Sequence, residues 1–419
     1  MPSVSKHGPS KKVIDALTFD IPSKYDPVHK ASKAPLTLTY TFDTSAIAGL
    51  DTGYSGWQPF SASQRAAVEA VLAEYETFIN VRFVASSGGG DKALYFGRTG
   101  LGSLDGYGGI SWKKTAKSFD LDGFAMWDTT VSFSSDWGRH LLVHEIGHAM
   151  TLKHPGRYGS GEEGPFLAKS KENNKFSVMS YKDSPDSGSV AGHLMLYDVA
   201  ALQKRFGANL NYRTGDDVYT GADSELQVVW DAGGTDKIDG AGFAASVRID
   251  LRDGHFSSLG ATANLAIAFG AVIENATGGS GNDKLVGNPW GNVLSGGPGN
   301  DRLDGGKGSD ILAGGPGADA FVFNTKPGKG RDTIADLEPG IDTVRLDKGA
   351  FADIGGKGML AASKFHIGSA AHDGSDRIIY DSESGRLIYD RNGSCHGKAK
   401  VFAVVGADLD LDHGMFIVA

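Results

Sequence analysis

Five nine-residue units follow one another without a gap from residue 278 to residue 322. They read GGSGNDKLV, GNPWGNVLS, GGPGNDRLD, GGKGSDILA and GGPGADAFV, and an apolar residue recurs every nine positions, at Leu285, Leu294, Leu303, Leu312 and Phe321. The glycines allow tight turns, and each apolar residue with its two neighbours makes a short strand. One unit cannot bury its apolar residue alone, so successive turns must stack. The period therefore predicts a parallel β-roll, because a flexible glycine-rich linker needs no strict spacing.

The aspartate in four of the five units predicts bound calcium between adjacent turns of the roll. The predicted calcium-binding positions of the repeats are Gly279, Gly281, Asp283, Gly296, Gly297, Gly299, Asp301, Gly305, Gly306, Gly308, Asp310, Gly314, Gly315, Gly317 and Asp319. The second unit has Asn292 in place of aspartate and Trp290 in its glycine region, which leaves its calcium site in doubt. Extracellular calcium modules bind at roughly 0.1–1 mM. We therefore expect this half to fold outside the cell, where calcium contributes the folding free energy.

A second motif, HEIGHAMTLKH, lies at residues 144–154. On a helix, His144 and His148 lie one turn apart on the same face and can hold one metal ion together. Glu145 leaves the helix beside them, placed to act on a water at the metal rather than to bind the metal. The chain must turn back after the helix for His154 to become the third ligand, which leaves a fourth position for water. This spacing predicts one catalytic zinc ion.

Further downstream, residues 177–181 read SVMSY. Together with HEIGHAMTLKHP, this segment resembles the metzincin metalloproteases and specifically the serralysins, secreted bacterial zinc endopeptidases. The resemblance implies that His144, His148 and His154 bind zinc and that Glu145 is the general base. It also implies that Met179 is the methionine of the turn beneath the metal. Tyr181 is then a displaceable zinc ligand that helps to stabilise the oxyanion.

One position departs from the family pattern, which has glycine where this chain has Thr151. Glycine is favoured at such helix ends because it accepts a positive φ without steric cost. Thr151 is then either strained by about 1–3 kcal/mol or part of a turn that is built differently. A weakened or inactive zinc site is the competing interpretation. Because the spacing to His154 and the methionine turn are both retained, we favour an active site.

The segment before the repeats also carries calcium-site residues by resemblance. Residues 230–240, WDAGGTDKIDG, form an incomplete copy of the repeat turn, and IENA follows at residues 273–276. Carried over from the serralysins, the further calcium-binding positions are Arg213, Gly215, Asp231, Gly233, Gly234, Asp236 and Glu274.

These motifs predict a multidomain α+β protein. Residues 1–34 are expected to be a flexible N-terminal extension or pro-segment, residues 35–209 an α/β metzincin domain, and residues 210–419 an all-β domain. The last comprises the parallel β-roll, with core repeats at 278–322, and a β-sandwich cap from Phe323 onward. In the first domain we expect a helix after a capping box of Ser61 and Gln64, a helix at 196–206, and the strands LTLTYTF, VRFVA and KALYFG. By resemblance, KALYFG would lie along the cleft and bind extended substrate.

Composition limits the partners and the compartment. The 419-residue chain has a net charge of −9, which argues against nucleic acid and suits cations. Its one cysteine, Cys395, allows no internal disulfide, so bound metal is the expected stabiliser. The N-terminus lacks the apolar stretch of a secretory signal peptide, and no apolar run is long enough to span a membrane. The serralysin resemblance implies export by a type I exporter that reads a C-terminal signal, here the tail GMFIVA.

We expect a monomer that acts on protein and peptide substrates and that a small proteinaceous protease inhibitor could bind. Two alternatives from other classes remain. One is a catalytically weak or inactive calcium-binding adhesin on a metzincin scaffold, which Thr151 alone supports. The other is a repeat-bearing lipase, which the lack of a G-x-S-x-G nucleophile elbow disfavours.

Overall fold

The protein is described from a computed structural model. It covers residues 8–20, 34–45, 54–86, 93–114, 119–159, 162, 164–221, 226–393 and 399–419. Cys395 and residues 1–7 and 21–33 of the N-terminal segment lie outside the described residues. Within the described part of the chain, none of the helices has the length and apolar character needed to cross a bilayer.

The α-helices of the described residues all lie in the first half of the chain: α1, Lys11–Leu17; α2, Ala62–Phe78; α3, Asp136–Ala149; and α4, Leu196–Phe206. The predicted capping box begins α2. The Gln64 N–H donates to Ser61 Oγ at 3.3 Å, and the Ser61 N–H donates to Gln64 Oε1 at 2.9 Å. Ser135 caps α3 in the same way, accepting the Gly138 N–H at 3.0 Å. The helix predicted after the capping box, α2, and the helix predicted at residues 196–206, α4, are both confirmed.

The first half contains one five-stranded sheet made of β1, Leu36–Asp43; β2, Val81–Ala85; β3, Ala93–Thr99; β4, Gly106–Lys114; and β5, Phe119–Asp128. The strand order is β2-β1-β3-β5-β4, and β4 alone runs antiparallel to its neighbour. The expectation that the KALYFG strand lines the cleft was wrong. That strand is β3, which pairs with β1 on one side and β5 on the other, so it has no free edge. The free edge next to α3 belongs to β4.

The expectation of a flexible lead was wrong for residues 11–17. They form α1, whose Ala16 and Leu17 are fully buried. Helix α1 packs against α4. The segment KKVIDAL is too short and too polar to predict a buried helix by itself, and Ala16 and Leu17 are buried in the structure, where α1 packs on α4.

The second half consists of short strands and two single-turn 3-10 helices, Ala362–Lys364 and His413–Met415. The strands are β6, Val218–Tyr219; β7, Gln227–Val229; β8, Lys237–Asp239; β9, Arg248–Asp250; β10, Phe256–Ser257; β11, Leu265–Ile267; β12, Asn275–Thr277; β13, Lys284–Val286; β14, Val293–Ser295; β15, Arg302–Asp304; β16, Ile311–Ala313; β17, Ala320–Phe323; β18, Asp332–Ile334; β19, Thr343–Leu346; β20, Gly358–Met359; β21, Phe365–Ile367; β22, Ile378–Asp381; β23, Arg386–Tyr389; β24, Lys400–Val404; and β25, Phe416–Val418.

The repeats form two parallel sheets that face each other. Consecutive repeat strands alternate between the sheets, so each strand pairs with the strand 18 residues away, as Leu285 does with Leu303. All five apolar repeat residues have no exposed surface and fill the space between the sheets. The predicted inward position of these residues is confirmed.

The roll does not end where its sequence repeat ends. Strands β18 and β19 pair in parallel with β16 and β17, and β24 and β25 extend the two sheets further. The two sheets expected of a separate sandwich cap are therefore continuations of the roll. The sequence signal stops at residue 322 because the later turns differ in length, while the strand pairing continues across them.

Candidate metal centre

Helix α3 carries two of the three predicted zinc ligands on one face. His144 and His148 are both buried, and their ring centroids are 4.9 Å apart. The helix ends at Ala149, and the chain turns through Met150 and Thr151 to bring His154 back. Nε2 of His154 then lies 3.2 Å from Nε2 of His144 and 3.0 Å from Nε2 of His148. Three imidazoles thus point a ring nitrogen at one small volume.

The opposite nitrogen of each ring has an acceptor. Nδ1 of His144 faces the Val178 carbonyl at 2.9 Å, and Nδ1 of His148 faces the Leu152 carbonyl at 2.9 Å. Nδ1 of His154 lies 2.8 Å from Oε1 of Glu162. With Nδ1 protonated on each ring, every Nε2 presents a lone pair to the other two. Such an arrangement repels itself unless a cation lies between the nitrogens, so the donor set fits zinc.

The electrostatics favour neutral imidazoles. Burial, with added repulsion from the neighbouring rings, holds the pKa of His144 well below its usual range and lowers that of His148 to about 3. Burial also lowers the pKa of His154, although Glu162 acts in the opposite direction. Metal binding requires the unprotonated ring, so no proton has to be displaced near neutral pH.

Glu145 lies between α3 and the edge strand β4. Two glycines of β4 make this close approach possible: a Cβ on Gly106 would lie 2.5 Å from Oε1 of Glu145, and one on Gly108 would lie 2.5 Å from its carbonyl oxygen. The Gly108 N–H also donates to the carboxylate. Burial raises the pKa of Glu145 to about 8. A raised pKa makes the ionised carboxylate a stronger base, and a cation held by the three histidines would favour that ionised form.

The methionine turn lies directly beneath the helix. Met179 is fully buried, and a Cβ on Gly147 would lie 2.7 Å from its sulfur atom. Asp198 of α4 fixes the turn by accepting from Ser177 Oγ at 2.6 Å and from the Val178 N–H at 2.7 Å. Since Val178 also supplies the acceptor for His144, Asp198 fixes the orientation of a predicted ligand.

Tyr181 lies at the open side of the three histidines. Its ring is 4.6 Å from that of His154, and 60% of its surface is exposed. Tyr158 stacks on it at 4.4 Å with an interplanar angle of 20° and accepts the Tyr181 N–H at 3.3 Å. Partial burial of the phenol, with Glu145 adding to the effect, raises the pKa of Tyr181 to about 12. The phenol therefore stays protonated and able to donate a hydrogen bond.

A cleft of about 260 Å³ opens beside these residues, bounded by Trp137, His140 and Leu104. His140 belongs to its wall. Its Nδ1 faces the Ala191 carbonyl at 2.9 Å, and its ring stacks on Trp137 at 5.1 Å. His140 lies outside the group of three converging histidines, as its position two helical turns before His148 predicts.

Several residues of this centre escaped the sequence analysis. Glu162, Tyr158 and Asp198 act on the predicted residues through hydrogen bonds or ring stacking that no local pattern reveals. A partial signal existed for Glu162, because acidic residues follow the third histidine in the segment GSGEEG.

In the second half, Asp217, Asp231 and Asp236 bring carboxylate oxygens within 4.8 Å of one another. Asp231 and Asp236 were predicted, and Asp217, in the segment TGDD, was missed. Glu274 joins them by accepting the Asp236 N–H at 2.8 Å.

The three predicted glycines lie on the two turns that carry these carboxylates. A Cβ on Gly234 would be 2.0 Å from the carbonyl oxygen of Gly215, and Gly233 has a φ of +143°. Arg213, at a φ of +48°, lies over the ring of Tyr219.

The aspartates of the repeats form a ladder. Oδ1 of Asp301 accepts the Asp283 N–H, Oδ1 of Asp319 accepts the Asp301 N–H, and Oδ1 of Asp310 accepts the Asn292 N–H, at 2.7–2.8 Å. The ladder continues beyond the repeats, because Asp310 and Asp319 donate their N–H groups to two aspartates that the sequence analysis missed, Asp332 and Asp342.

The second carboxylate oxygen is different. Oδ2 of Asp301, Asp310 and Asp319 is buried and makes no hydrogen bond to any described residue. A glycine faces each of these atoms, because a Cβ on Gly296, Gly305 or Gly314 would lie 2.1–2.4 Å from it. Buried polar atoms without partners are rare and point to an absent ion. These three positions therefore fit calcium.

The other repeat positions differ among themselves. Asp283 has both oxygens occupied, by the N–H groups of Val247 and Gly279. Asn292 donates through its amide nitrogen to the Glu274 carbonyl at 2.9 Å, and its amide oxygen, which Gly287 faces, accepts the Asn288 N–H at 2.8 Å, so both side-chain atoms have a partner. The remaining predicted glycines lie at tight turns: Gly297, Gly299, Gly306, Gly308, Gly315 and Gly317 have a positive φ, and a Cβ on Gly279 or Gly281 would lie within 2.5 Å of a neighbouring turn.

Thr151 keeps the conformation that the family glycine would adopt. Its φ is +74°, it is almost fully buried, and its hydroxyl makes no hydrogen bond to the described residues. The first of the two sequence-based alternatives, a strained threonine, therefore holds.

Replacing Thr151 with glycine is expected to raise the free energy of unfolding by about 1 kcal/mol, since the strain removed exceeds the added chain entropy. Thermal unfolding followed by circular dichroism measures the change. Lys153→Gly, at a neighbouring position without a positive φ, is the control and should lower the melting temperature. A lower melting temperature for Thr151→Gly would contradict the prediction.

Comparison with known proteins gave consistent results. Residues 205–353 match the family described as Peptidase M10 serralysin C terminal. The chain is 36% identical to metallopeptidase AprA of Pseudomonas marginalis over 411 residues, which cover 87% of this chain and 82% of that protein. It is 38% identical to serralysin G of Dickeya chrysanthemi over 348 residues, covering 75% and 72% of the two chains. These alignments are long enough to include both halves of the molecule.

Proposed function

Because this chain belongs to the serralysin family of zinc metalloproteases, we propose that it is a secreted endopeptidase that cleaves extracellular proteins. In this proposal His144, His148 and His154 hold the zinc ion. The observation that carries it is the convergence of three Nε2 atoms, two of them 3.2 and 3.0 Å from the third. The acceptors at each Nδ1 support the assignment, because they fix the tautomer that a metal ligand requires.

Zinc in such a site polarises a carbonyl group and makes water more acidic. Glu145 is the general base: it accepts a proton from the water that attacks the peptide carbonyl and transfers that proton to the leaving amine. Gly106 and Gly108 leave room for the carboxylate, and the Gly108 N–H orients it. Tyr181 donates a hydrogen bond from its phenol to the oxyanion. Tyr158, stacked on Tyr181, limits the directions in which this side chain can move.

Substrate binding is assigned to the free edge of β4. Its N–H and C=O groups lie next to α3, so an extended peptide that pairs with this edge passes Glu145. The cleft beside Trp137 and Leu104 then receives one substrate side chain. Its wall combines apolar side chains, Leu104, Trp137 and Val190, with the carboxylates of Asp105 and Asp183, which favours an apolar or basic substrate side chain.

Calcium is assigned to the two groups of carboxylates in the second half. Unpartnered Oδ2 atoms at Asp301, Asp310 and Asp319 support the roll sites, and the cluster of Asp217, Asp231 and Asp236 supports a further site. Asp283 belongs to the same ladder, and Asp332 and Asp342 extend it. In this proposal calcium supplies folding free energy, since the ionised carboxylates repel one another without it.

The C-terminal tail bears on export. Strand β25 pairs with β19 and β20 on its two sides, and Phe416 and Val418 are buried. A type I exporter that reads this tail must therefore engage the chain before the roll folds. Low calcium inside the cell would keep the roll unfolded until export, and higher calcium outside would then fold it. A small protein inhibitor would occupy the same cleft as the substrate.

Purified protein loaded with zinc and calcium tests the proposed function. We expect one tightly bound zinc per chain and hydrolysis of casein, which a zinc chelator abolishes and added zinc restores. Stoichiometric zinc without any hydrolysis would contradict the proposal and favour the adhesin alternative.

A further inference from the structure

The N-terminal segment reaches the metal centre. Beyond α1, residues 17–20 run antiparallel beside residues 151–153, with a β-bridge between Thr18 and Leu152. The Lys153 N–H donates to the Leu17 carbonyl at 2.9 Å, and the Phe19 N–H donates to the Thr151 carbonyl at 3.1 Å. We call residues 11–20 the strap.

The strap completes the hydrogen bonding of the turn that delivers His154. Within the turn, the Thr151 N–H donates to the His148 carbonyl at 3.0 Å, and the Leu152 N–H donates to the Gly147 carbonyl at 2.8 Å. The Leu152 carbonyl accepts from Nδ1 of His148. Among the described residues, the two remaining backbone bonds of this stretch, those of the Thr151 carbonyl and the Lys153 N–H, join it to the strap. One of them is made by the carbonyl of the strained residue itself, and the other lies two residues further on.

Side chains anchor the strap on both sides. Leu17 is fully buried where α1 packs on α4. The Arg205 guanidinium of α4 donates to the Phe19 carbonyl at 3.1 Å. The Phe19 ring lies 6.3 Å from the ring of His148, centroid to centroid. The strap is therefore held by α4 and contacts both the turn and a predicted ligand.

We propose that the strap is a positioning element of the zinc centre, which holds Thr151 in its left-handed conformation and so keeps His148 and His154 directed at the metal. This inference rests on the zinc centre of the proposed function. A strained residue persists only where its surroundings over-determine its conformation. With glycine at this position the turn would adopt the same φ unaided, so the strap matters because the chain has threonine there.

The consequence is a specific coupling between two distant parts of the sequence. If the strap is weakened, Thr151 relaxes towards a negative φ, the Leu152 carbonyl moves away from Nδ1 of His148, and His154 leaves its position. Zinc is then held by fewer oriented ligands and dissociates faster. Glycine at position 151 should make zinc retention independent of the strap.

The test measures the rate of zinc loss to a colorimetric chelator from the full-length holoprotein, without substrate. Phe19→Pro removes the N–H that binds the Thr151 carbonyl, and Asp20→Pro is its matched control, one residue later and outside these bonds. Leu17→Ala loosens the anchor, with Leu72→Ala, a similarly buried leucine of α2, as its control. Each strap variant is also made with Thr151→Gly.

We expect Phe19→Pro and Leu17→Ala to speed zinc loss about tenfold, which is the size of change that the loss of one hydrogen bond produces. The two controls should change the rate by about twofold at most. Thr151→Gly should return both strap variants to within about threefold of the parent rate. Visible absorption of the cobalt-substituted protein should shift in the strap variants and recover with glycine.

Equal effects in the strap variants and their controls would overturn the proposal, because general destabilisation would then explain them. The proposal would also be overturned if Thr151→Gly changed the rate of zinc loss by the same factor in the parent and in the strap variants. Zinc retention is read out without proteolysis. A protein that shows the expected coupling but cleaves no casein would therefore contradict the proposed function while supporting the strap.

Discussion

Replacing Glu145 with glutamine is expected to reduce kcat for casein or peptide hydrolysis by about 10²–10⁴-fold. Glutamine has nearly the same shape and can still accept the Gly108 N–H through its amide oxygen. It cannot take up a proton at neutral pH, so the attacking water loses its base. Because Glu145 is not one of the three converging ligands, zinc content should not change. Single-turnover kinetics with a quenched fluorescent peptide, alongside metal analysis, measures both quantities.

The control for this prediction is Glu69→Gln. Glu69 lies on α2 and interacts with Tyr40 away from the centre, so its replacement should leave kcat unchanged. Glu162→Gln provides a graded comparison, because it weakens the acceptor at Nδ1 of His154 and should affect zinc retention more than the chemical step. Activity of Glu145→Gln within about threefold of the parent would rule out the general-base assignment.

Removal of calcium is expected to unfold the second half of the molecule. The roll buries carboxylates whose Oδ2 atoms have no partner among the described residues, and a buried unpaired charge is strongly destabilising. Without calcium we expect loss of the β-sheet circular dichroism signal, with refolding at a calcium concentration of roughly 0.1–1 mM. Replacing Asp301, Asp310 or Asp319 with asparagine should lower the number of bound calcium ions. Asn292 shows how an amide can occupy such a position.

Asp410→Asn, at an exposed position outside the ladder, is the control and should leave the calcium midpoint unchanged. Isothermal titration calorimetry gives the stoichiometry for each variant. A roll that keeps its full circular dichroism signal in a strong calcium chelator would contradict the prediction.

The same carboxylates predict how pH affects the calcium-free roll. Burial, with the neighbouring aspartates, raises the pKa of Asp301 and of Asp319 from 3.8 to about 6. The folded state therefore holds protons more tightly than the unfolded state. Stability falls as the pH rises from about 4 through about 6. In chelator, the roll should therefore retain more of its β-sheet circular dichroism signal near pH 5 than near pH 8. Saturating calcium should reverse this order, because calcium binds the ionised carboxylates.

Two parts of this protein could be predicted because their signals are local and periodic. The nine-residue period fixes the inward residues of the roll from Leu285 to Phe321, since each turn repeats the same backbone geometry. The spacing within HEIGHAMTLKH places His144 and His148 on one helical face, and the capping box marks where α2 begins. None of these features depends on what lies across the fold.

The other features depend on contacts between segments that are far apart in sequence. The edge of β4 is free because β4 is the last strand in the sheet and pairs only with β5 among the described strands. The roll continues to β24 and β25 because pairing tolerates turns of unequal length. Asp217 and Asp332 reach calcium-type positions through stacking, outside the repeat. The strap shows the same limit most clearly. Thr151 marked the weak point of the turn in the sequence, but only the tertiary structure, by bringing Leu17 and Phe19 beside it, decided how its strained conformation is held.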